Sequence, residues 1–163
     1  MRHIIFSALL ALASSAKADE ISAAKAFERV VALARAEPTK CEQPANLIPS
    51  NFSSSDYELL IVKIKLNRLR LGDISDSGLT CLESTMDHSI YKLASLPDGG
   101  KALIRLLENS SLLWDGAHAL TLCDAMVRRG KPMLPLLEKV ASRNRHWALR
   151  CSEKIHNGYK TAF

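Results

Sequence analysis

The side chains that could do chemistry in this 163-residue chain are four cysteines, five histidines and a scatter of carboxylates. After the N-terminal His3, the histidines are His88, His118, His146 and His156. No two of them stand four apart, as a helical zinc pair requires, and no HExxH is present. Cys81, Cys123 and Cys151 are too widely spaced for a CxxC redox motif or a zinc site. The chain has no Gly-x-Ser-x-Gly elbow, phosphate-binding loop or dinucleotide fingerprint. A catalytic triad can still be assembled from distant residues, so missing motifs do not exclude one. Glu83, Asp87, Glu108, Asp115, Asp124 and Glu138 offer carboxylates from which a small cell-wall hydrolase could draw an acid/base pair. The competing reading of each is a solvated residue on the outside of a helix. No metal or cofactor is expected, and no catalytic residue is assigned.

The elements that would position these residues are helical, and one stretch repeats. Gly100-Lys-Ala-Leu-Ile-Arg-Leu-Leu-Glu108 returns thirty positions later as Gly130-Lys-Pro-Met-Leu-Pro-Leu-Leu-Glu138. Each copy is followed by a turn and a second helical segment carrying a Trp, an Ala-Leu pair and a Cys. That period marks stacked helical hairpins, in which no single unit buries its own apolar face. Glu108 and Glu138 share a repeat position, which points to a structural role. With 47% apolar and only 6% aromatic residues, the composition also favours helix packed on helix.

The chain opens with an export pattern. Met1-Arg2-His3 is basic, Ile4 to Ala13 is apolar, and Ala16-Lys17-Ala18 supplies a cleavage site. A ten-residue apolar helix is about 15 Å long, half of a bilayer core of about 30 Å, so no membrane anchor is expected. Residues 1–18 are therefore expected to be a signal peptide, and residues 19–163 one helical domain in the bacterial periplasm or secreted. Removing Arg2 and Lys17 lowers the net charge from +5 to +3. That excess is too small and dispersed to suggest nucleic acid as a partner.

Within the mature chain, Ala23, Phe27, Val30, Val31 and Ala34 fall on one face of a first helix over Ile21 to Arg35. Residues 37–55, with Pro38, Pro44 and Pro49, read as a long surface loop needing a pin. Ser55-Asp-Tyr-Glu58 reads as a capping box opening a second helix that ends at Gly72, with Leu59, Val62, Leu66 and Leu69 inward. The alternation Val62-Lys-Ile-Lys-Leu66 would also suit a strand. Leu79, Leu82, Met86, Ile90 and Leu93 give a third helix that stops at Pro97. Asp98 is placed to cap the first repeated helix, with Leu103, Leu106 and Leu107 inward. Its partner, about Leu112 to Arg129, would bury Leu113, Ala117, Leu120 and Val127. The second copy gives Met133, Leu136, Leu137, Val140 and Ala141, and its partner carries Trp147, Ala148, Cys151 and Ile155 before Gly158. Residues 159–163 read as a tail.

Export permits disulfides, and four cysteines allow three pairings. Cys123 and Cys151 occupy related positions on second helices that should lie side by side. Cys41 then pairs with Cys81, tying the long loop to the start of a helix; the competing reading is that the cysteines are buried free thiols.

Pro132-Met-Leu-Pro-Leu-Leu-Glu-Lys-Val140, a polar turn, and Trp147-Ala-Leu-Arg-Cys-Ser-Glu-Lys-Ile155 together resemble a HEAT-type hairpin. The likeness covers about residues 98–158, with a degenerate extension back to Asp56. It departs from the family in the turn Ser142-Arg-Asn-Arg145, where an Asp and a Val-Arg pair would stand. The expected fold is all-α, a short right-handed stack of antiparallel hairpins (HEAT-like α-solenoid or irregular helical bundle) with two disulfides. The resemblance implies a curved stack that binds rather than catalyses, although fold does not fix function.

Small, exported, disulfide-tied and helical, the chain is similar in type to immunity proteins against periplasmic toxins. The expected function is therefore a non-enzymatic module that blocks a cell-wall-degrading effector, with another periplasmic protein as partner. The alternative is the small secreted hydrolase. For partner binding, Trp114, His118, Arg143, Arg145 and His146 are expected to form a partly exposed patch, with Thr121 and Ala125 continuing its stripe. Packing of Trp114 between helices is the competing reading.

Overall fold

The computed structural model describes residues 22–42, 46–68, 70–109, 111, 112, 114, 116–140 and 144–158. The expected signal peptide, Leu69, Leu113, Asp115, Ala141, Arg143 and the C-terminal tail lie outside the described residues.

Seven α-helices and no strands form among the described residues: α1 Ala23–Ala36, α2 Ser54–Asn67, α3 Asp76–Ser95, α4 Gly99–Glu108, α5 Gly116–Arg129, α6 Leu134–Leu137 and α7 Arg145–Asn157. Short 3-10 turns cover Pro38–Glu42 and Lys131–Met133. Three hairpins, α2/α3, α4/α5 and α6/α7, stack so that α2, α4 and α6 form one layer and α3, α5 and α7 the other. Helix α1 closes the first end by packing on both α2 and α3. The earlier segment is thus a hairpin of the same stack, and the strand alternative for Val62–Leu66 is overturned. None of the described helices is long and apolar enough to cross a membrane.

Local sequence sets most of the helix starts. Ser22 accepts from the Lys25 amide, and Ser75 from that of Gly78, each satisfying a donor that the first turn leaves orphaned. The capping box of α2 lies two residues before its expected place: the Ser53 hydroxyl accepts from the Asp56 amide, and Asp56 accepts from the amide of Ser53. Glu58, expected to complete the box, instead receives Arg105 of α4 through Nε at 3.1 Å and Nη2 at 2.6 Å. Asp98 precedes α4 but makes no capping bond; its carboxylate accepts from the Ser54 hydroxyl and joins the starts of α2 and α4. That bond, chiefly, holds the Asp98 carboxyl below its ordinary pKa.

The core confirms three faces. Ala23, Val30, Val31 and Ala34 of α1 are buried, as are Leu82, Met86, Ile90 and Leu93 of α3 and Leu103, Leu106 and Leu107 of α4. Helices α1 and α3 approach so closely that a Cβ on Gly78 would stand 2.4 Å from the Ala34 carbonyl oxygen. On α2 the expected face is wrong: Leu59 and Leu66 are 46% and 38% exposed, while Leu60, Ile61 and Ile64 are fully buried. On α5 likewise, Leu120 is 39% exposed and Ala117 is exposed, while Ala119, Leu122 and Met126 face inward.

The segment between α1 and α2 is more than a surface loop. Ile48 and Phe52 are buried, and the Phe52 ring meets Tyr57 edge-on at 5.4 Å. Cys41 bonds to Cys81, as expected, pinning this segment to α3 with a Cα–Cα distance of 5.3 Å. The second expected disulfide also forms, Cys123–Cys151, joining α5 to α7 at 4.8 Å between Cα atoms. Two disulfides are the mark of an oxidising, extracytoplasmic compartment. Between them, Arg129 at the end of α5 donates to the carbonyls of Ala94 at 2.7 Å, Leu96 at 2.6 Å and Pro97 at 3.0 Å. One guanidinium thus satisfies a terminal carbonyl of α3 and the two in the turn that follows it.

Candidate functional site

Charged side chains collect where the first hairpin meets the second. The C-terminal turns of α2 carry Lys65 and Arg68, the outer side of α3 carries Glu83 and Asp87 one turn apart, and α5 brings His118 and Thr121. Together with Ala117, all of these except Lys65 line an open pocket of about 360 Å³. Lys65 lies behind it, only 8% exposed.

Three nitrogen-bearing groups converge in this place. The Lys65 ammonium is 3.4 Å from Nδ1 of His118, and Nη1 of Arg68 is 3.3 Å from its Nε2. Arg68 Nη1 also donates to Glu83 Oε1 at 2.5 Å, and that oxygen lies 3.9 Å from His118 Nε2. The Lys65 ammonium further sits 5.4 Å from the centre of the Trp114 ring, a cation–π contact. Burying a lysine is tolerable only where its charge is answered, and the Trp114 ring and the His118 imidazole are part of that setting.

Trp114 and His118, expected on a partly exposed patch, lie inside the protein at 9% and 6% exposure. The indole N–H of Trp114 donates to the Leu106 carbonyl at 2.9 Å, closing the end of α4. Thr121 is half-buried and Ala125 fully buried, so their stripe points inward. The physical reason is that α5 is enclosed by α3, α4 and α7, and Cys123 must face α7 to reach Cys151. Arg145 and His146 are exposed at the start of α7, where the His146 ring tilts against Trp147 at 4.9 Å. They are not among the residues lining the pocket. The structure therefore keeps His118 at a candidate site and parts it from Arg145 and His146.

Of the described carboxylates weighed for acid/base chemistry, Glu83 and Asp87 line this pocket; Asp115 lies outside the described residues. Asp124 instead receives Lys154 of α7 at 3.0 Å, and Glu108 and Glu138 are exposed. Lys65 and Arg68 were not legible as site residues. In sequence they look like ordinary solvated charges, and their signal is positional: they end a helix that is apolar nearly all round. No group of three or more metal-binding side chains occurs among the described residues.

A second, larger concavity of about 420 Å³ lies between Pro97, Asp98, Lys101, Arg129, Pro132 and Leu136. Arg129 is occupied in holding the end of α3 and Asp98 in accepting from Ser54, so this hollow reads as the seam between hairpins. Comparisons with protein families, with curated proteins and with solved structures find no match, so the fold and the pocket stand on their own geometry.

Proposed function

We propose that the chain is a non-enzymatic binding protein of the bacterial periplasm whose recognition site is the polar pocket between α2, α3 and α5. One observation carries this reading: cations and carboxylates from two hairpins converge on a solvent-open hollow, with Lys65 and His118 more than nine-tenths buried. Buried charges held in mutual contact give orientation and specificity to a recognition site. The partner is another protein, and the narrower reading is an immunity protein that occludes a cell-wall-degrading effector. The export pattern, the two disulfides and the short helical stack support that reading.

The hydrolase alternative keeps one specific observation in its favour, the presence of Glu83, Asp87 and His118 in a single pocket. A muropeptide-release assay separates the two. Purified protein should release nothing from peptidoglycan, and release abolished by Glu83→Gln would overturn the binding reading. In parallel, capture of a partner from a cell-envelope extract should be lost in a folded Arg68→Gln, Glu83→Gln double variant.

A further inference from the structure

The hollow at the seam between the second and third hairpins joins an apolar floor to a cationic rim. Pro97, Pro132, Met133 and Leu136 form the floor of this open concavity of about 420 Å³. Met133 is 1% exposed and Leu136 is half-buried, so the floor is sunk below the surface. Lys101, on the first turn of α4, lines one side. On the α6 side, Lys131 directly precedes Pro132 and Met133. Both lysines are exposed, and no carboxylate among the described residues pairs with either. Arg128, exposed and 4.0 Å over the Tyr91 ring, adds a third cation next to the lining residue Arg129. Among the described lining residues Asp98 is the acidic one, and it is bonded to Ser54; Arg129 is bonded to three carbonyls. Neither is counted towards a ligand.

From this arrangement we infer that the hollow is a docking site for an acidic segment of a partner protein, one that seats a single apolar side chain between carboxylates. Charge complementarity selects the sign of the segment. Asp or Glu on both sides of its anchor answers Lys101 and Lys131 together. The sunken floor selects the anchor, since an aliphatic side chain entering an apolar hollow leaves water while the charged rim stays solvated. A lipid surface does not fit this shape. Membrane contact needs apolar side chains that project into the acyl boundary, and those here are recessed. A fatty-acid anion carries its charge at one end and answers one lysine. The hollow shares no lining residue with the polar pocket between α2, α3 and α5, so the inference does not depend on that pocket's role.

An NMR titration of the intact, oxidised protein tests this, because amide shifts locate even weak binding. The probes are the capped peptide Glu-Asp-Leu-Glu-Asp, its counterpart with Gly for Leu, and the uncharged Gln-Asn-Leu-Gln-Asn. Laurate and phosphatidylglycerol vesicles represent the two lipid alternatives. The acidic Leu peptide should shift the amides of Lys101, Lys131 and Met133 and bind at least about tenfold more tightly than either peptide control. Raising the salt from about 0.05 to about 0.5 M should weaken it by at least about threefold. Lys101→Glu combined with Lys131→Glu should weaken it by at least about tenfold. The pair Lys101→Gln, Lys131→Gln should act in the same direction to a smaller extent, and thermal melting checks that both variants are folded. The Arg68→Gln, Glu83→Gln variant should bind the peptide as the unaltered protein does. Equal binding of the Leu and Gly peptides, binding indifferent to both lysine pairs, or tighter binding of laurate or the vesicles overturns the inference. So does the absence of shifts at those three amides.

Discussion

The two copies of the repeated phrase begin from nearly the same letters and end as different structures. Gly100–Glu108 lies within one continuous ten-residue helix, α4, with Ala102, Leu103, Leu106 and Leu107 buried. Gly130–Glu138 breaks into a 3-10 turn, Lys131–Met133, and the four-residue α6. Two prolines account for the difference. Pro132 sits in the opening turn, where its missing N–H costs nothing, but Pro135 lacks the donor that would bond back to Lys131 in an unbroken helix. The leading glycines diverge too. Gly100 is buried inside a helix, whereas Gly130 ends α5 with φ of 74°. A shared sequence period thus secures a shared place in the stack without securing shared helix length. The second copy compensates by covalent means, since α7 is tied to α5 through Cys123–Cys151.

The largest effect should come from cutting that tie. Replacing both Cys123 and Cys151 with Ala should destabilise the protein by about 3–4 kcal/mol in denaturant unfolding, from the chain-entropy value for a closed loop of 28 residues. Hydrogen exchange should rise first in α7; an equal rise in α4 would deny that the second copy is the weaker unit. Next come matched truncations in the two phrases. Leu106→Ala should cost about 3 kcal/mol, because Leu106 is fully buried, whereas Leu136→Ala at the equivalent, half-buried position should cost about 1 kcal/mol. Equal losses in urea melts would erase the distinction. Smaller again is Gly130→Ala, expected to cost about 1 kcal/mol because an L side chain resists the left-handed backbone there.

The smallest effect is one of pH and belongs to the first-copy side. Burial, helped by Lys92, lowers the pKa of His88 on α3 below its ordinary 6.5. The unfolded chain therefore binds more protons than the folded one between that lowered value and 6.5. Stability contributed by His88 is complete above 6.5 and is lost as pH falls through the lowered folded value. Melting temperature should fall across that interval, and His88→Gln should flatten the fall. An unchanged slope in the variant would assign the effect elsewhere.

How far the sequence could be read depended on each helix having one choice of face. Helices α1 and α3 carry apolar residues on a single face between polar ones, and both came out as periodicity predicts. Helix α2 contains Leu59, Leu60, Ile61, Val62, Ile64 and Leu66, so its pattern cannot choose; packing against α1, α3 and α4 chose Leu60, Ile61 and Ile64. On α5 the decisive residue is a cysteine. A half-cystine at Cys123 has to face α7, and that orientation turns Ala119, Leu122 and Met126 inward and Leu120 outward. Cys123–Cys151 was legible because it follows from repeat position, and Cys41–Cys81 is then the remaining pair. The pocket was not, because Lys65, Arg68, Glu83, Asp87 and His118 come from three helices and carry no local motif. Only the way the first two hairpins meet brings them together.

The places of the two crosslinks bear on how such a molecule resists proteolysis. A linear stack usually opens from its ends, where each unit has only one neighbour. Here Cys41–Cys81 binds the segment after α1 to the first hairpin, and Cys123–Cys151 binds the last hairpin to the one before it. Fraying by single units is thereby suppressed at both extremities. A protease then gains its first cut through opening of a larger part of the stack, which is rarer than the loosening of one terminal hairpin. Two bonds that add no binding surface thus raise the cost of the opening through which a protease would gain that cut.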